Sequence, residues 1–101
     1  MVVQEYIERP HLVDDLKYDL RIYVLVYGVN PLRVYIHKYG LVRFCTEQYC
    51  RPTNYNLKNL FMHLTNYAIN KDNEAFEENQ GDDADDEGHK RSLRAILEIL
   101  A

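Results

Sequence analysis

The stretch KYDLRIYVLV places three charged residues at alternate positions, just before a run of apolar residues. These three are Lys17, Asp19 and Arg21. Alternate residues of a β-strand share one face, so the three side chains would lie together. Arg and Lys donate hydrogen bonds to phosphate oxygens, and an Asp accepts one from a ribose hydroxyl. The spacing therefore suits a nucleotide, although it equally suits the solvated face of a two-layer sheet.

Four more segments carry candidate polar groups. Arg43, in a predicted strand LVRFC, would share a face with Arg21. QEYI at 4–7 offers backbone groups that suit an adenine edge, but any edge strand offers the same groups. His63 has no second ligand at metal spacing, which favours a core or loop histidine over a metal site. For Thr65 and Asn66, the spacing leaves open whether they cap a turn or bind phosphate or a metal-bound water.

Two charged segments near the C-terminus lead to different predictions. Lys90 and Arg91 flank a predicted helix N-terminus, where a Lys is mildly unfavourable, so a ligand role gains weight. Residues 72–88 are acidic and poor in apolar groups, which predicts a disordered loop. This run lacks the spacing of a calcium-binding loop.

Hydrophobic alternation predicts a fold of class α+β, an antiparallel β-meander with flanking helices. In the longest strand, an apolar back formed by alternate residues from Tyr18 to Val26 opposes the charged front. The segment 54–64 predicts one or two helical turns, and 63–71 predicts a structured loop or short strand. Residues 92–101 predict an amphipathic helix with Ser92 as N-cap. The predicted strands are residues 2–7, 17–27, 32–38 and 41–45.

Composition limits the chain to one domain or part of one. It has 101 residues, of which 47% are hydrophobic. Residues 1–71 hold nine Lys/Arg against six Asp/Glu, while residues 72–87 hold nine Asp/Glu and neither Lys nor Arg. This balance suits phosphate or carboxylate ligands but is too weak for a dedicated nucleic-acid binder. Cys45 and Cys50 are expected to be reduced and structural. Without a signal peptide or a membrane-spanning apolar run, the chain is expected to be soluble and intracellular.

Four segments in order along the chain resemble the tubulin tyrosine ligase-like family, most closely its polyglutamylase branch. They are QEYIERPHLVDDLKYDLRIYVLV, NPLRVYIHKYGLVRF, HLTNYAINK and GHKRSL. The resemblance implies an ATP-grasp-like catalytic domain, with a nucleotide between two α+β lobes, of which residues 1–101 would be the central part.

The resemblance also implies roles for individual residues. It implies nucleotide contacts for Gln4, Glu5, Tyr6, Ile7, Lys17, Asp19, His63, Thr65 and Asn66. It implies catalytic roles for Arg21 and Arg43, and contacts to the amino-acid substrate for Arg43, Tyr67 and Lys90. It implies no metal ligand within these residues.

The implied activity is ATP-dependent addition of glutamate to glutamate side chains of tubulin through an acyl phosphate. ATP and Mg²⁺ are the implied cofactors, and tubulin and free L-glutamate the implied partners. The resemblance also implies a monomeric full-length protein in the cytoplasm, on microtubules and in cilia or basal bodies. The alternatives are a glycylase or tyrosine ligase of the same family, or a non-catalytic microtubule-binding module.

The chain also departs from the family pattern. The family's phosphate loop and phosphate-binding lysine would precede residue 4, and its magnesium ligands would follow the last helix. We therefore expect that the isolated chain neither catalyses the reaction nor holds Mg-ATP tightly. His89 stands where the family commonly has a serine, in GSKR.

Overall fold

The computed structural model describes residues 1–77 and 88–101. It contains two antiparallel sheets and three short helices in that part of the chain, which confirms the predicted α+β class. The strands are β1 (Leu12–Val13), β2 (Leu16–Arg21), β3 (Val24–Val29), β4 (Leu32–Ile36), β5 (Leu41–Gln48) and β6 (Lys90–Ser92). The helices are α1 (Leu60–His63), α2 (Tyr67–Asn70) and α3 (Leu93–Leu100).

A four-stranded sheet carries the core. Its strand order is β1-β2-β5-β6, and every neighbouring pair is antiparallel. Alternate residues of β5 face α3, where Val42 and Phe44 pack with Val13, Leu93 and Ile96. The helix begins where predicted, because Ser92 Oγ accepts a hydrogen bond from Ala95 N–H at 3.1 Å.

Strands β3 and β4 form a separate two-stranded sheet, here called the ribbon. The predicted single strand 17–27 and the single meander are therefore wrong. The chain leaves the first sheet after Arg21, which pairs with Leu41, and pairs again from Val24 with Ile36. A Cβ on Gly40 would lie 2.7 Å from the Arg21 carbonyl oxygen, so the backbones approach too closely there for a larger residue.

Four further segments differ from expectation. The predicted strand 2–7 has no ladder partner in the described part of the chain. Residues 67–70 form helix α2 rather than a loop or strand. Strands β1 and β6 were not predicted, because a two- or three-residue strand has too short an alternation to detect.

The acidic run lies mostly outside the described residues, which omit 78–87. Its described start forms turns, and Glu77 N–H donates to His89 Nδ1 at 2.9 Å. Among the helices of residues 1–77 and 88–101, none is long and apolar enough to cross a membrane.

Candidate active site

A cleft of about 330 Å³ is lined by residues of β2, β5, β6 and α2 and of the loops beside them. Five of the predicted site residues line it, namely Arg21, Arg43, Thr65, Tyr67 and Lys90. The remaining lining residues are Tyr23, Leu41, Phe44, Asn70, Phe76 and His89.

Strand register explains how the charged residues meet. Arg43 of β5 lies opposite Asp19 on one side and Lys90 on the other. Arg21 lies two residues beyond Asp19 on β2, so it shares that face, as predicted. The cleft therefore gathers three cations, while the Asp19 carboxylate pairs with Arg43 from outside the lining. This excess of positive charge favours an anionic ligand.

Arg43 and Asp19 form a two-pronged ion pair. Arg43 Nε donates to Asp19 Oδ1 at 2.9 Å, and its terminal nitrogen Nη2 donates to Oδ2. The hydrogen bond to Asp19 raises the pKa of Arg43 above its ordinary value. Because a guanidinium has five N–H donors, others remain to bind a ligand. Asp19 thus holds Arg43 beside the cleft and leaves some of its N–H donors available.

Lys17 does not line the cleft, although it shares the charged face of β2. Its Nζ donates to the His63 carbonyl oxygen at 2.9 Å and lies 4.6 Å from the centre of the Tyr6 ring. Tyr6 Oη is 2.7 Å from His63 Nδ1, and His63 Nε2 is 3.0 Å from the Asn56 carbonyl oxygen. Since a carbonyl only accepts, Nε2 carries a proton and donates to Asn56. Both ring nitrogens of His63 therefore bind protein groups.

The residues near the N-terminus lie elsewhere. Glu5, Tyr6 and Ile7 line a separate, open hollow, and Gln4 is exposed. Asn66 precedes α2 and its carbonyl accepts from Asn70, but it does not line the cleft. The structure therefore brings together the predicted substrate residues and leaves most of the predicted nucleotide residues outside the cleft.

Asn70 is a buried polar residue of the cleft wall that sequence reasoning missed. It is 1% exposed. Its Oδ1 accepts from Thr46 N–H and Oγ1–H at 3.0 and 2.9 Å. Its Nδ2 donates to the carbonyls of Leu64 and Asn66 at 2.7 and 3.0 Å. Asn70 therefore ties β5 to the turn that carries Thr65, and a four-residue helix gave no periodic signal for it.

His89 and Phe76 were also missed as cleft residues. Their rings stack with centroids 5.7 Å apart and an interplanar angle of 26°. Burial lowers the pKa of His89. The one signal for His89 in the sequence was its place in GHKR, where the family pattern has a serine.

An antiparallel α+β fold with a cationic cleft offers donors that suit a small anion. The chain belongs to the tubulin-tyrosine ligase family, whose model matches residues 1–101. It is 50% identical over 99 residues to a "Probable beta-tubulin polyglutamylase" of Tetrahymena thermophila, covering 98% of this chain and 8% of that protein.

Two mouse proteins are similarly close. Identity to tubulin polyglutamylase TTLL7 is 49% over 100 residues, 99% of this chain and 11% of the relative. Identity to tubulin polyglutamylase TTLL11 is 49% over 96 residues, 95% of this chain and 13% of the relative. The resemblance seen in the four motifs is confirmed, and the chain spans about a tenth of the length of these curated relatives.

Proposed function

We propose that this chain is the central part of the ATP-grasp-like catalytic domain of an ATP-dependent ligase that adds glutamate to tubulin. The relatives named as tubulin polyglutamylases support this assignment. The observation that carries it is the single cleft that collects Arg21, Arg43, Thr65, Tyr67 and Lys90.

The chemistry uses three anionic reactants, namely a tubulin carboxylate, ATP and free L-glutamate. An acceptor γ-carboxylate of tubulin attacks the γ-phosphorus of ATP, which releases ADP and leaves an acyl phosphate on tubulin. The amino group of free L-glutamate then displaces phosphate and forms the isopeptide bond. Arg21 stabilises phosphoryl oxygens as charge develops on them. Arg43, Tyr67 and Lys90 hold the carboxylates of glutamate, so that its amino group is aligned for attack.

The residues outside the cleft fit the adenosine part of ATP. The backbone of residues 4–7 belongs to no strand, so its N–H and C=O groups can pair with an adenine edge. Each carboxylate oxygen of Asp19 accepts one hydrogen bond from Arg43, which leaves lone pairs for a ribose hydroxyl. For Thr65 and Asn66 we propose phosphate contacts, with His63 positioned beside them.

Magnesium is proposed to bind residues outside this chain. Within residues 1–77 and 88–101, no group of three or more His, Cys, Asp or Glu side chains could hold a metal ion. As the family resemblance implies, we also propose that the isolated chain is inactive and binds Mg-ATP weakly. The complete enzyme is proposed to act as a monomer on microtubules in the cytoplasm, including those of cilia or basal bodies.

A chimera tests the proposal. The matching 100 residues of mouse TTLL7 are replaced by this chain, and transfer of labelled glutamate to microtubules is measured. We expect transfer by the chimera, and a loss of about 100-fold or more in Arg43→Ala because a donor to the substrate is removed. The matched control is Arg33→Ala, an exposed arginine of the ribbon, which should keep full activity.

Three outcomes would contradict the proposal. An Arg43→Ala chimera with full activity would remove Arg43 from the site. Preferred transfer of glycine or tyrosine, in competition with glutamate, would assign the chain to another ligase of the same family. A folded chimera that binds microtubules and transfers no amino acid would favour a non-catalytic binding module.

A further inference from the structure

His89 is held rigidly at the wall of the cleft. Its carbonyl accepts from Phe44 N–H at 2.9 Å, and its own N–H donates to the Glu77 carbonyl at 3.1 Å. Its ring stacks on Phe76 and accepts at Nδ1 from Glu77 N–H at 2.9 Å. Both its backbone and its ring plane are therefore fixed by neighbours.

These contacts determine which nitrogen of His89 carries the proton. Glu77 N–H can only donate, so Nδ1 must accept and the neutral ring is protonated at Nε2. Burial lowers the pKa of His89, which keeps the ring neutral at neutral pH. The nitrogen on the edge away from Glu77 is thus a neutral N–H donor.

The surroundings of this donor favour an oxyanion. Arg43 and Lys90 line the same cleft, and Lys90 follows His89 directly in the chain. A carboxylate held by these two cations still has lone pairs that they do not satisfy. A neutral donor adds a directional hydrogen bond without the cost of burying another charge.

We propose that His89 Nε2–H donates to a carboxylate of the free amino acid bound in the cleft, so that His89 contributes to the choice of substrate. This inference rests on the proposed function, in which the cleft binds L-glutamate. A serine at this position would have a shorter reach, so His89 would give this chain a contact that the common family pattern lacks.

Two substitutions separate the donor at Nε2 from the acceptor at Nδ1. In His89→Gln, the side-chain amide nitrogen reaches the position of Nε2 and keeps a donor there. In His89→Asn, the side-chain amide reaches only the position of Nδ1. This variant keeps an acceptor for Glu77 N–H and loses the donor at the position of Nε2. L-glutamate, and separately inorganic phosphate, is titrated into the full chain while amide resonances are followed by NMR.

We expect His89→Gln to bind L-glutamate within about twofold of the unsubstituted chain, and His89→Asn to bind about tenfold more weakly, since a hydrogen bond to a charged group is lost. Phosphate affinity should not follow this order. The resonances of Ile96 and Ala95 in the core report folding in each sample, so that the folded variants alone are compared.

Other patterns would overturn the inference. If His89→Asn binds L-glutamate normally and His89→Gln does not, His89 acts only as a hydrogen-bond acceptor for Glu77 N–H. Equal affinities, or equal losses, in both variants exclude a donor at Nε2, and a difference seen only with phosphate assigns the donor to a phosphoryl group. Failure of the unsubstituted chain to bind L-glutamate would instead contradict the amino-acid site itself.

Discussion

The four-stranded sheet and the ribbon are both antiparallel, yet only the sheet contains buried residues. In β5, Val42 and Phe44 are 0% and 1% exposed. In β3, Val24 and Val26 are 53% and 56% exposed. The difference lies in what covers them, because α3 packs on the sheet whereas no described element covers the ribbon.

A hydrophobic strand sequence therefore does not by itself show which element, if any, buries the strand. The ribbon is apolar on both faces, which is typical of strands that are covered on both sides. A lone two-stranded ribbon is marginally stable in water. The sheet, by contrast, has its own covering helix, and it is the sheet that carries the cleft. The comparison predicts that substitutions in the two regions differ in their effect on stability.

The largest expected difference is between two isoleucines. Ile96 in the core is 0% exposed and Ile36 in the ribbon is 70% exposed. We expect Ile96→Ala to lower the free energy of unfolding by about 2–5 kcal/mol because it leaves a cavity. Ile36→Ala should change it by about 0.5 kcal/mol or less. Urea unfolding of the chain measures both, and comparable losses would show that the ribbon is packed in solution.

A smaller effect is expected where the sheet meets the cleft. Asn70→Ala leaves the Leu64 and Asn66 carbonyls and the Thr46 hydroxyl without the partner described above. The Thr46 N–H also loses its acceptor, whereas the Asn66 carbonyl keeps the Asn70 N–H. We expect a loss of about 1–3 kcal/mol, the cost of leaving the buried Thr46 donors unsatisfied. Asn54→Ala, in an exposed turn, is the matched control and should be neutral. If both variants unfold at the same urea concentration, Asn70 does not tie β5 to the turn.

The buried thiol of β5 should make stability depend on alkaline pH. Burial raises the pKa of Cys45 from 9.0 to about 11. Between these values the unfolded chain loses the thiol proton and the folded chain keeps it, so stability falls as pH rises. We expect Cys45 to account for a loss of about 1 kcal/mol between about pH 8 and pH 10. Chemical unfolding across this range should show that loss in the unsubstituted chain.

The two cysteines provide the comparison for this pH effect. Cys45 is buried and Cys50 is exposed. Cys45→Ala should therefore remove the alkaline loss, while Cys50→Ala should retain it. A loss that persists unchanged in Cys45→Ala would have to come from another group.

Much of the fold was predictable where the signal is local. Alternation placed Arg21 and Arg43 on one face, because side-chain direction in a strand depends only on position along it. The cap at Ser92 and the stripe of α3 were predicted for the same reason. Pairing is not local, so the sequence did not show that β5 returns to β2 rather than to β4. The sequence also did not show that residues 2–7 have no strand partner among the described residues.

The candidate site follows the same division. Arg21, Arg43 and Lys90 share the cleft because register aligns them, and the motifs indicated all three. Lys17 also lies on the predicted face, but the carbonyl of His63 and the ring of Tyr6 engage its ammonium outside the cleft. Asn70 and His89 depend on tertiary contacts with residues distant in the chain, for which spacing carries no information.

The smallest expected effect on stability comes from making the ribbon polar. Val26 and Val34 are cross-strand partners, 56% and 49% exposed. Changing both to Thr keeps β-branching, so strand propensity is preserved. Because neither side chain is buried, we expect the free energy of unfolding to change by about 0.5 kcal/mol or less. Binding of a hydrophobic fluorescent dye should fall at the same time, since exposed apolar surface is removed.

The paired control for the ribbon is the same chemical change inside the sheet. Val42→Thr places a hydroxyl at a position that is 0% exposed, and burying that group without a partner costs about 1–3 kcal/mol. Dye binding should therefore stay constant or rise in Val42→Thr as the core loosens, and fall in the ribbon variant. If the ribbon variant loses as much stability as Val42→Thr, the two valines are covered in solution. The contrast between a covered sheet and an uncovered ribbon would then fail for the chain.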